Sequence, residues 1–233
     1  MKRLRIALPA LPAVGFALFA YVYLTLPDVR PLRATNPATT AFMDLRADEA
    51  RAKGQAPRRV MQWTSERRIA PVLKRAVTVA EDDAFWQHEG VDFEQLQESI
   101  EVDWARGRLA RGGSTITQQL AKNLYLSPSK NPLRKLREFL IARRLEAELP
   151  KARILEIYLN VIEWGDGLYG IEAAARTYFR VSAAGLNEQQ AALLAAAIVN
   201  PRLLNPGRPT PRLLRRQQLI LRRMGASAGA APE

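Results

Sequence analysis

Cysteine is absent from this 233-residue chain, and histidine occurs once, as His88. Disulfides and thiolate metal sites are thereby excluded and the redox compartment is left open. One histidine without a second His or Cys also supplies no transition-metal ligand set. Acidic residues are in the minority, 23 against 35 Lys and Arg, for a formal charge of +12. That excess suits anionic partners such as lipid headgroups, nucleic acid or a phosphorylated substrate, and equally suits a solvated basic surface. No internal repeat marks the chain as a solenoid. Only one uncharged run is long enough to span a membrane, "IALPALPAVGFALFAYVYLTL", Ile6 to Leu26.

At about 1.5 Å per helical residue that run would cross a hydrocarbon core of roughly 30 Å. A cleaved signal peptide would normally have an apolar region of about 7–15 residues ending in an A-x-A-like site, and neither holds. Residues 1–26 therefore read as a short N-terminus and a transmembrane anchor. Pro9 and Pro12 fall in the first turns, where a missing amide donor costs least, and Tyr21 and Tyr23 fall where an interfacial aromatic belt is expected. Lys2, Arg3 and Arg5 against Arg30 and Arg33 favour a cytoplasmic N-terminus with the rest of the chain beyond the membrane.

The remainder, with 48% apolar residues overall, suffices for one medium-sized domain. Residues 27–65, with Pro27, Pro31, Pro37 and Pro57, read as a linker or loosely packed neck in which Ala41 to Lys53 can form a short helix. From 66 to 225 the apolar spacing is helical, which predicts a mostly α domain, and 226–233 reads as a disordered tail. Asn187 with Gln190 forms a capping-box pattern. Thr210-Pro211 caps an arginine-rich helix expected to end at Gly225.

Three segments concentrate chemistry. In "EDDAFWQHEGVD", Glu81 to Asp92, three acids follow a helical apolar face made by Val72, Ala76, Val79 and Ala80. Acids at a helix C-terminus oppose its dipole, so their placement calls for a reason outside that helix. His88 is assigned to holding the loop. In "RGGSTITQQLAKNLYL", Arg111 to Leu126, a Gly-Gly pair precedes a helix that Ser114 is expected to cap. Ile116, Leu120 and Leu124 share its apolar face, while Gln118 and Lys122, and Gln119 and Asn123, form polar stripes just past an N-terminus that suits an anion. In "RKLREFLIARRLEAEL", Arg134 to Leu149, Glu138 falls on the stripe of Ile141, Ala142, Leu145 and Leu149. It is expected to face inward, where a carboxylate needs a cation or a raised pKa, and Arg134 one turn earlier is the simplest structural partner.

In this order and spacing, continued by "EWGDGLYGIEAAARTYF", these motifs resemble the peptidoglycan glycosyltransferases, glycosyltransferase family 51. The resemblance covers about Glu66 to Arg202, and a single anchor with one domain is similar to the monofunctional branch of the family. Ser127 to Lys130 fits the S-x-x-K of penicillin-binding transpeptidases, but no K-T-G follows. The resemblance implies a lysozyme-like, mostly α fold and a lipid II substrate, polymerised into glycan strands with inversion and release of undecaprenyl pyrophosphate. Glu81 would be the general base and Glu138 the second important glutamate. Lys122, Arg134 and Lys135 would meet the pyrophosphate, and Ser114, Gln118 and Gln119 would contact substrate. No metal ligand set is defined, although the family can use a divalent cation at the pyrophosphate. Expected partners are lipid II, the nascent strand and membrane lipids at the bacterial inner membrane; other cell-wall synthesis proteins are left open. Two departures stand out: Pro150 where serine is common, and an acidic stretch, Gln97 to Glu101, where relatives carry a basic residue. The alternatives are a lysozyme-like hydrolase or lytic enzyme acting on finished peptidoglycan, and a nucleic-acid binder using Arg212, Arg215, Arg216, Arg222 and Arg223. Nucleic acid is not the expected partner, because a polybasic helix equally suits anionic headgroups.

Overall fold

A computed structural model describes residues 13, 15–92, 113–126 and 132–229. The acidic stretch at 97–101, the sequence at 127–130, the start of the uncharged run and residues 230–233 lie outside the described residues. The architecture is mostly helical, as the periodicity implies. In chain order the main helices are α1 (Ala41–Ala52), α2 (Pro71–Glu81), α3 (Ile116–Tyr125), α4 (Pro132–Glu148), α5 (Lys151–Val161), α6 (Ile171–Phe179), α7 (Glu188–Ala197) and α8 (Pro211–Gly229).

The centre of one helical group is α7. Its seven residues from Ala191 to Ala197 are all buried, as a helix apolar on every side requires, and it packs between α2 and α8. Both halves of its capping box form, with Asn187 accepting from the Gln190 amide and Gln190 from the Asn187 amide. In the second group α3 packs on α4 and α5, burying Ile116, Leu120 and Leu124 against Ile141, Leu145, Ile154 and Leu155. Thr210 caps α8, but that helix runs on to Gly229 rather than stopping at Gly225, because a glycine interrupts a helix only where the chain adopts a left-handed turn.

Helical periodicity did not reveal a small sheet formed by Val60–Met61 (β1), Glu163–Gly165 (β2) and Leu168–Tyr169 (β3), in the order β1-β3-β2. Strands of two or three residues are too short to show a period.

Residues 27–65 pack more tightly than their prolines suggest. Val29, Leu32 and Met43 join the core, and Thr40 caps α1 by accepting from the Met43 amide. Arg33 reaches Glu148 at 2.6 Å, and Arg153 donates to the Leu32 and Thr35 carbonyls. The preceding segment is tied down too. Residues 15–24 are helical, Val22 and Leu26 are buried, and Arg144 donates to the carbonyls of Tyr23, Leu26 and Pro27. No described helix is long and apolar enough to cross a membrane.

Candidate active site

The acidic knot lies where the C-terminus of α2 meets the N-terminus of α3. Glu81 is the last residue of α2, and Asp82 follows as its cap, 2% exposed. Asp82 accepts from the backbone amide of Ile116, the first residue of α3, at 2.8 Å through one oxygen; its other oxygen meets His88 Nε2 at 2.8 Å. The acid that opposes the dipole of its own helix is thus favourably placed at the positive end of the next. His88 Nδ1 accepts from the Gly90 amide at 3.1 Å, so Nε2 carries the hydrogen given to Asp82, and the lone histidine holds the loop as expected. Gly90 sits at φ +88° with Glu146 and the Ala142 carbonyl directly over it, a place no side chain fits. Its carbonyl accepts from the Thr115 hydroxyl at 2.7 Å, joining the end of this motif to the start of the next.

The cap of α3 is Thr115 rather than Ser114. Thr115 accepts from the Gln118 amide and Gln118 returns its side-chain oxygen to the Thr115 amide, a complete capping box that the sequence carries as T-x-x-Q. Gln118 is buried there, while Ser114, one residue before the cap, keeps its hydroxyl near Lys135 Nζ at 3.4 Å.

Glu138 faces inward, 3% exposed, from the stripe it shares with the buried Ile141, Ala142, Leu145 and Leu149. Arg134 pairs with it at 2.7 Å and Lys135 closes on its other oxygen. Glu81 is half-buried and accepts from the Gln119 amide nitrogen at 3.0 Å. Burial pushes its pKa up, opposed by the Gln119 hydrogen bond and the charges of Arg216 and Lys122; neighbouring Asp82 pushes it up further. Lys122 lies within electrostatic reach of both glutamates and of Arg134 and Lys135. Its surroundings desolvate the ammonium and lower its pKa, although the side chain as a whole counts as exposed. Among the described residues its ammonium forms no ion pair, whereas Arg134 and Lys135 are engaged by Glu138.

The fold therefore brings together Glu81, Ser114, Gln119, Lys122, Arg134, Lys135 and Glu138, with Gln118 in the helix cap behind them. Sequence reasoning missed two members. Arg216 was grouped with the arginines of α8, but it is partly buried, donates to the Ala196 carbonyl at 3.1 Å and acts on Glu81. Tyr158, buried in α5, donates to Gln119 at 2.8 Å. Helical spacing marks Tyr158 only as a core residue. The arrangement offers a desolvated carboxylate able to accept a proton and, beside it, a cation-rich surface able to hold an anionic leaving group.

A family model described as Transglycosylase matches residues 49–225, and the chain belongs to that family. Among its relatives is the biosynthetic peptidoglycan transglycosylase of Nitrosospira multiformis, 44% identical over 211 residues that cover 91% of this chain and 92% of that one. The protein of the same name from Laribacter hongkongensis is 51% identical over 191 residues, covering 81% and 83%. That from Aromatoleum aromaticum is 53% identical over 167 residues, covering 72% and 73%.

Proposed function

We propose that this enzyme is a peptidoglycan glycosyltransferase that polymerises lipid II with inversion at the donor anomeric carbon. The single observation that carries the mechanism is the pairing of Glu81, desolvated and held by Gln119, with a neighbouring cluster in which Lys122 forms no ion pair among the described residues. Glu81 takes the proton from the acceptor 4-hydroxyl as that oxygen attacks the anomeric carbon. Inversion demands attack on the face opposite the departing pyrophosphate. Lys122, with Arg134 and Lys135, stabilises the negative charge that develops as the bond breaks, and Glu138 fixes the last two in place. Ser114 faces the substrate beside Lys135, whereas Gln118 keeps the loop in register from inside the cap.

The described residues define no site that would hold a divalent cation by protein ligands alone. Glu138 is bracketed by two cations, and no group of three His, Asp or Glu among the described residues could hold a metal.

The uncharged run anchors the chain in the inner membrane, with the domain on the outer side. Supporting this, the helical residues 15–24 leave Phe16 73% and Leu24 79% exposed, with Phe19 and Tyr23 stacked between them, a surface that suits lipid better than water.

The test is a time course of polymer made from purified lipid II by wild type and Glu81→Gln at equal folded concentration. An amide of the same shape cannot take the proton, so polymerisation is expected to fall by about 10²–10⁴-fold. Near-normal polymer would remove Glu81 from the base role. Cleavage of preformed glycan by wild type, without polymer, would favour the hydrolase reading.

A further inference from the structure

Gln119 occupies an unusual position for a residue read as a substrate contact, because both ends of its side-chain amide are already engaged. The nitrogen donates to Glu81 Oε2 at 3.0 Å and the oxygen accepts from the Tyr158 hydroxyl at 2.8 Å. The amide nitrogen also lies 3.4 Å from the Ser114 carbonyl, and the backbone carbonyl of Gln119 accepts from Asn123 at 2.8 Å. An amide can usually turn over and exchange its two ends. Here it cannot do so freely. Tyr158 is fully buried, and the Gln119 oxygen is the only acceptor its hydroxyl reaches among the described residues. Turning the amide would leave that O–H without a partner in the core and would set the Gln119 oxygen against the Glu81 carboxylate. Burial also holds the Tyr158 pKa far above its ordinary value, so the hydroxyl keeps its hydrogen.

We infer that Tyr158 is a positioning residue which, through the side-chain amide of Gln119, presents Glu81 with an N–H donor only and so holds that carboxyl in its proton-accepting form. This rests on the base role proposed above. The need for such a device follows from the surroundings. Burial and Asp82, at the end of α2, both favour the protonated carboxyl, which cannot act as a base. Against them stand Gln119 and Lys122 from α3 and Arg216 from α8, while Tyr158 from α5 fixes the direction of the first. Of these, only the Gln119 contact is a hydrogen bond to Glu81 in the structure, so the amide's direction decides whether the bonded partner favours the charged or the neutral carboxyl.

The experiment is the initial rate of lipid II polymerisation from about pH 5 to about pH 9 by the full chain in detergent, for wild type, Tyr158→Phe, Gln119→Met and the double variant, with thermal melts alongside. Tyr158→Phe is expected to move the acid limb of the profile up by about 0.5–1 unit. The rate on that limb then falls roughly three- to tenfold and recovers at higher pH. Loss of packing alone would lower the rate equally at every pH. Gln119→Met, which keeps the length but removes the donor, is expected to shift the limb at least as far, and the double variant no further than Gln119→Met, because Tyr158 acts through Gln119. Should Tyr158→Phe fail to fold, Gln119→Met on the half-buried side of the network decides: an unmoved acid limb in it overturns the inference. So do a pH-independent loss in folded Tyr158→Phe and a double variant in which the two shifts add. An inactive Glu81→Gln beside unmoved limbs overturns this inference alone, whereas an active Glu81→Gln overturns the base assignment and the inference with it.

Discussion

Asp82→Asn is expected to destabilise the fold far more than its small chemical change suggests. The carboxylate is buried and serves two donors at once, the Ile116 amide at 2.8 Å and the protonated His88 Nε2 at 2.8 Å. Because His88 Nδ1 is occupied as an acceptor by the Gly90 amide, the ring cannot exchange tautomers to suit a new partner. An asparagine brings one oxygen and one NH₂ group, so one of the two contacts becomes donor against donor. A hydrogen bond to a charged group contributes about 1.5–3 kcal/mol, and a buried donor left unsatisfied costs about 1–3 kcal/mol. The expected loss is therefore about 3 kcal/mol. With a urea dependence of about 2 kcal/mol per molar, the unfolding midpoint of the full chain in mild detergent falls by about 1–2 M. Hydrogen exchange at the Ile116 amide is expected to accelerate in step, since the junction between α2 and α3 opens more readily whichever of the two contacts is lost. A stability change below about 0.5 kcal/mol, with Ile116 exchange unaltered, would refute the view that Asp82 joins the two helices.

Other consequences are equally direct. The Glu81 carboxyl holds its proton more tightly folded than unfolded, so its contribution to stability is fully present below its ordinary value of about 4.5 and is lost as pH rises through the folded value. Glu81→Gln is therefore expected to melt a few degrees above wild type near neutral pH and no higher in acid; equal melts across the range would contradict the raised pKa. Lys122→Ala is expected to cut lipid II turnover at least tenfold while leaving the melt unchanged, and normal turnover would take Lys122 out of the site. Deleting residues 1–20 is expected to release the protein from membranes with its fold intact. Deleting 1–33 removes Val22, Leu26, Val29 and Leu32 from the core and is expected to cost at least about 3 kcal/mol, a difference that chemical unfolding of the two truncations would measure.

Much of this molecule is legible in its sequence because helices are local. The spacing of apolar residues fixed which faces of α2, α3 and α4 turn inward, and it placed Glu138 on a buried stripe. The capping patterns at Asn187 and Thr210 marked helix starts that the structure reproduces. The cap of α3 was misplaced by one residue, because Ser114 and Thr115 are chemically equivalent and only the Gln118 contact selects between them. The docked segment at 27–65 was read as loose because proline content reports local helix breaking and says nothing of burial.

What the sequence determined by itself is the helical framework, the family and the order of the motifs, all of which rest on residue types at fixed separations along the chain. What only the tertiary structure decided is how the three acids divide their work: Glu81 against Gln119, Asp82 between α3 and His88, Asp83 exposed to solvent. The same holds for the arrival of Tyr158 and Arg216 at the site. Glu81 stands 38 residues from Gln119, which stands 39 from Tyr158. No periodicity reaches that far. Such contacts arise when separate apolar faces pack into one core, and the packing sets which polar side chains meet beside it.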